Sequence, residues 1–145
     1  MLALELFTVV SAAVFTGAAL LVTVAEQPAR LALDDLPMLI EWRRSYDRAA
    51  PMQAGLALVS GLAGLVLWWM TGSLAALAGA LAILACWPFV VLVVMPVNRR
   101  LQALSTSEAH EARALVERWG TLHAVRTALG VAATVAYSAA LMMLA

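Results

Sequence analysis

Residues 49–98, AAPMQAGLALVSGLAGLVLWWMTGSLAALAGALAILACWPFVVLVVMPVN, hold no formally charged side chain. A helix of about 20 apolar residues crosses a bilayer core of about 30 Å, so this stretch is long enough to cross twice. Its one natural break is Gly72 between Thr71 and Ser73, which reads as a tight hairpin joining spans at about 51–71 and 73–95. Lipid offers no hydrogen-bond partner for a bare N–H or C=O, so each span satisfies its own backbone as a helix.

Working outward, two more runs qualify: 6–25, and about 121–144, which carries a single charge, Arg126. The chain is 64% apolar, against about 45–50% for soluble domains. The expected fold is all-α, a four-helix transmembrane bundle forming one membrane domain over 1–145. The first run has Glu5 rather than a basic residue ahead of it and lacks the short core of a secretory signal, so it is expected to be a retained helix. Gly and Ala recur in the first three spans, as close helix packing in lipid favours.

Each of the two long connections is expected to hold a short amphipathic helix. Asp34 and Asp35 are placed to cap one from about Leu36 to Ala49, ending before Pro51, which opens the second span. In the other, Ser105 and Glu108 stand in capping-box order ahead of Ala112, Leu115, Val116 and Trp119. That helix either runs straight into the fourth span or breaks at Gly120.

Net charge is zero, but the basic residues are unevenly placed. Arg30, Arg43, Arg44 and Arg48 fall in the first connection, and Arg99, Arg100, Arg113 and Arg118 in the second. Short arginine-rich loops stay in the cytoplasm, which predicts both long loops inside and both termini outside, in what reads as a bacterial inner (plasma) membrane. Membrane lipid and a hydrophobic aromatic small molecule are the expected partners, nucleic acid is not, and a homo-oligomer is left open. The lone Cys86 forms no intrachain disulfide and reads as a small buried apolar side chain.

Polar residues that bear on chemistry gather at the arginine-rich ends of the spans. Trp119, His123, Arg126 and Gly130 follow at steps of four, three and four, one stripe of the fourth helix. Ionisable groups at that depth face the bundle interior or a wet cavity and have a partner. For Arg126 the expected partner is Glu26, with snorkelling to the headgroups as the alternative. For His123 a plain structural bond to Glu26 or to a carbonyl stands against a role as a base beside a cation.

Gln27, Gln53 and Asn98 sit where prolines free backbone carbonyls, so backbone capping weighs evenly against ligand binding. Among the aromatics, Trp68 and Trp69 read as interface anchors, while Trp87 and Trp119 are candidates for lining a pocket. Only one histidine lies in a span, which argues against a zinc or non-haem iron site. No metal or cofactor is expected, with haem or quinone left open.

Four segments carry a resemblance. They are Val24 to Arg30 (VAEQPAR), Trp42 to Gln53 (WRRSYDRAAPMQ), Trp87-Pro88-Phe89 with Met95 to Leu101 (MPVNRRL), and Trp119 to Arg126 (WGTLHAVR). In this order, covering essentially the whole chain, they resemble the signatures of the DUF1772, or anthrone oxygenase-like, integral membrane family. The resemblance implies a four-helix membrane protein and, in the named members, oxidation of an anthrone by O2 to an anthraquinone without an evident metal or organic cofactor. Family members often have His where this chain has Gln27 and Thr where it has Val97, which puts any chemistry needing a second histidine in doubt.

On that chemistry His123 is the expected base, Arg126 the partner of the anion, and Glu26 the group orienting one of them. Trp87, Trp119 and Tyr46 are the expected walls, and Gln27, Arg30, Trp42, Gln53 and Asn98 complete the substrate-binding set. Two other classes compete: a non-enzymatic membrane module that binds a quinone, lipid or other hydrophobic ligand, and a structural partner of another membrane protein. Retained binding without turnover would mark the first, and a bundle without an internal cavity the second.

Overall fold

The computed structural model of the chain describes residues 1–144. Among these there is no strand, and four helices are long and apolar enough to cross a membrane: Leu2–Leu31, Asp35–Thr71, Leu74–Ala103 and Thr106–Leu144. They make this an integral membrane protein. Each runs well past the apolar stretch that marked it in the sequence.

In the first connection, the expectation of a short helix that ends before Pro51 is corrected by this continuity. Asp34 sits at the N-cap of the second helix, as anticipated, but the helix then passes through Pro51 without ending. Pro51 lacks the amide that would bond the carbonyl four residues back. That residue, Asp47, is exposed at the polar end, where water serves the carbonyl at little cost. Before the fourth span, Ser105 and Glu108 form the anticipated capping box, with the Ser105 amide donating to Glu108 Oε2 at 2.7 Å. One 3-10 stretch, Thr106–Glu111, then leads into the α-helix Ala112–Leu144, which Gly120 does not break.

Gly120 is a glycine for reasons of space. A Cβ there would stand 2.8 Å from Cδ of Gln27, the side chain that crosses to the fourth helix beside it. Gly72 answers a different need: with φ +71° it closes the second helix in the left-handed conformation, and Ser73 caps the third.

Two helices are widened locally ahead of a proline. Val22–Glu26 and Val90–Val94 adopt π turns, two residues before Pro28 and Pro96 respectively. A proline ring clashes with the carbonyl one turn back, and a π turn relieves the clash by adding a residue to the turn. The third helix also bends at Ala85, just before Cys86–Phe89. In consequence the second and third helices pack closely from the Gly72 hairpin to about Leu84 and then part.

The first helix packs along the fourth through two hydroxyl pairs, Thr16 to Thr134 at 3.0 Å and Thr23 to Thr127 at 2.9 Å. Phe15, Ala57, Ile83, Cys86, Ala133 and Tyr137 fill the middle of the bundle. A larger core at the arginine-rich end gathers Met38, Leu39, Trp42, Val97, Leu101, Val116 and Trp119. Arginines tie the chain together there. Arg43 donates to the carbonyls of Leu101 and Leu104 that end the third helix, and Arg113 to those of Leu31 and Leu33 and to Asp35.

Candidate functional site

An apolar cavity of about 270 Å³ opens where the second and third helices part, with the fourth helix as its back wall. Ala50, Ala54 and Ala57 line it from the second helix, and Cys86, Val90 and Val94 from the third. Three groups supply most of its polarity: Tyr46, Asn98 and Arg126. Its size lies just below the range of about 300–1,000 Å³ typical of ligand pockets. Behind it is a hollow of about 20 Å³, bordered by Arg30, Gln53 and His123. Tyr46, Ala50, Trp119 and Arg126 border both spaces.

The stripe on the fourth helix faces inward as its spacing predicts. Trp119 and His123 are buried, and Arg126 reaches both hollows. The imidazole of His123 stacks on Trp119 with ring centroids 4.9 Å apart. Trp119 meets Trp42 edge-on at 5.8 Å, and Trp42 stacks on Tyr46 at 5.0 Å, so four rings brace one another from the fourth helix to the second. Neither ring nitrogen of His123 has a hydrogen-bond partner in the protein, although the residue is only 2% exposed. The guanidinium of Arg126 lies over the ring of Phe15 at 5.8 Å, and its Nε has no partner either.

The expected Glu26 to Arg126 pair does not form. Glu26 pairs instead with Arg30 at 3.5 Å, one turn along its own helix, and accepts a hydrogen bond from Ser45 at 3.3 Å. Arg30, not Arg126, is the charge hub of this end. Its buried guanidinium also pairs with Glu41, donates to Oε1 of Gln27 at 3.0 Å, and covers Trp119 at 5.5 Å. Gln27 completes the link by donating to the carbonyl of Val116 at 2.8 Å. Burying a guanidinium is tolerable because its donors are answered in this way. Gln27 therefore bridges two helices and borders neither hollow.

Sequence reasoning missed Glu41 altogether, and it missed Arg30 as a charge hub. The four-residue spacing of Glu26 and Arg30 was a usable signal, whereas nothing in the sequence pointed to Glu41. Of the other residues, Asn98 donates to the Tyr46 hydroxyl at 3.2 Å while its Oδ1 stays unpartnered, and Gln53 is buried against the small hollow. Trp42 is fully buried behind Tyr46, and Trp87 lines the cavity with one side exposed. Among the described residues no three His, Cys, Asp or Glu side chains come together as a metal ion would require.

A bundle of this kind, with an apolar cavity in its membrane part and a few buried unpartnered polar atoms around it, defines a polytopic membrane protein with a candidate pocket between its helices. The family model described as anthrone oxygenase matches residues 42–136, from Trp42 through the site to the fourth helix. The chain belongs to that family, the DUF1772 family, and is at this level an oxygenase-like membrane protein. No curated protein and no solved structure matches it.

Proposed function

We propose that the chain oxidises a flat hydrophobic aromatic of the anthrone type with O2, by base-assisted deprotonation in the membrane. The observation that carries this reading is the placement of Arg126 and His123. A half-buried arginine with a buried, unanswered Nε stands in the wall of an apolar cavity, and a buried histidine with two unanswered ring nitrogens borders the hollow behind it.

An anthrone methylene is acidic because the charge left by its proton spreads through the rings onto the ketone oxygen. Arg126 is the cation that meets that oxygen, in a setting where water does not weaken the attraction. His123 takes the proton. It does not border the larger cavity, so the proton crosses the small hollow, whose 20 Å³ accommodates about one water. The anion gives an electron to O2, the two radicals combine into a C–O bond, and the peroxide anion so formed takes the proton back from His123. The resulting hydroperoxide then loses water to leave a second carbonyl. One O2 is consumed, with one oxygen atom in the quinone and the other in water.

A second reading, a module that binds a hydrophobic ligand without chemistry, is favoured by one fact: His123 is set back from the larger cavity. In either case the arginine-rich end faces the cytoplasm by the charge rule. The test is oxygen uptake and quinone absorbance with a simple anthrone and the purified protein in lipid vesicles. The proposal expects one O2 per quinone at a rate well above that of empty vesicles. Equal rates with and without protein would remove the enzymatic reading.

A further inference from the structure

We propose that the cavity is loaded sideways from the bilayer, through the gap between the second and third helices, rather than from water at the arginine-rich end. This rests on reading the cavity as the ligand site, but it concerns the route and is testable without turnover.

The lining residues fall into two sets. Pro51 on the second helix and Trp87 and Val91 on the third are exposed, the last two by 41% and 54%. Trp87 and Val91 are apolar and lie well inside the uncharged stretch between Arg48 and Arg99, so what they are exposed to is lipid, while Pro51 stands at its polar edge. Ala57, Cys86, Val94, Asn98 and Trp119 line the same cavity and are buried. Exposure thus falls from the lipid-facing rim inward, while the polar groups Asn98 and Arg126 lie deeper. A molecule soluble in hydrocarbon meets apolar surface first and hydrogen-bonding groups only once inside.

The backbone explains why a gap exists there. The two helices are in close contact up to Leu84, and then the bend at Ala85, Pro88 and the π turn at Val90–Val94 carry the third helix away. At the aqueous end, by contrast, side chains tie the helices together. Tyr46 is held by its stack on Trp42 and its bond from Asn98, and Arg43 fastens the end of the third helix to the second.

Cys86 is the chain's single cysteine and sits on the inner wall of the cavity, which makes it a built-in reporter. The full-length protein in lipid vesicles is treated with monobromobimane, which partitions into bilayers, or with a trimethylammonium methanethiosulfonate, which does not. Rates are normalised to those of the unfolded chain. The proposal expects bimane to modify Cys86 at least about tenfold faster than the charged reagent, a difference of about 1.4 kcal/mol in barrier. Val91→Trp, which fills the rim from the lipid side, should slow bimane severalfold, and Trp87→Ala should speed it. Both residues stand at the exposed rim of the cavity. Equal protection against both reagents, faster modification by the charged one, or indifference to both rim variants would overturn the proposal.

Discussion

The rings of Trp119 and His123 lie face to face, 4.9 Å between centroids and 16° from parallel, one turn apart on the same buried stripe. The stack fixes the plane of the imidazole at the border of the small hollow. Trp119 is in turn held by the edge of Trp42 and the guanidinium of Arg30. Neither nitrogen is engaged in a hydrogen bond, which distinguishes this histidine from a helix-bridging polar residue such as Gln27.

Arg126→Met preserves length and apolar contact but removes the cation. If the guanidinium stabilises the anion, kcat should fall by about 10²–10³, while the dissociation constant of a neutral quinone product changes little. Fluorescence titration and initial rates on the same preparation separate the two. A loss confined to binding would make Arg126 a docking group only.

Arg30 contributes stability. Arg30→Met leaves Glu26, Glu41 and Oε1 of Gln27 without their donor, and strips the cation from Trp119. Both carboxylates are partly exposed, which softens the penalty, so a loss of about 1–3 kcal/mol is expected. Unfolding in mixed detergent micelles measures it. The effect should exceed that of Arg100→Met, whose pair with Glu111 is at the surface.

Tyr137 occupies room that two glycines leave. Its hydroxyl donates to the carbonyl of Ser60 at 3.0 Å, and a Cβ on Gly64 would collide with the hydroxyl end of the ring, whereas one on Gly79 would come within 2.6 Å of Cδ1. Gly64→Ala should destabilise the bundle by about 1–3 kcal/mol through overpacking. Tyr137→Phe should recover part of that in the double variant, because the clash is centred on the oxygen. It should not rescue Gly79→Ala, whose clash is with the ring. Unfolding midpoints of the four variants decide it.

The four spans were legible because lipid leaves the backbone one solution and the hydropathy shows where it applies. Helix ends were not, since charge marks where apolar sequence stops and not where the helix does: Asp35–Thr71 runs through both sides of Pro51. On the fourth helix the spacing of Trp119, His123 and Arg126 predicted a shared inward face, because that helix is regular there. The pairing of Glu26 was misjudged for a local reason. It ends the π turn Val22–Glu26, and one extra residue in a turn rotates the remainder of the helix by about 100°. Side-chain direction after such a turn is absent from hydropathy. The cavity likewise depends on the bend at Ala85 and on how far two helices separate, which single residues do not encode.

His123→Gln keeps a buried hydrogen-bonding side chain of similar reach and removes basicity, so it tests the account most directly. Measured in lipid vesicles beside the unaltered protein, it should bind a quinone or anthrone with nearly the same affinity while the rate of oxygen uptake falls by about 10²–10⁴. Undiminished oxygen uptake in that variant would contradict the assignment of His123 as the base.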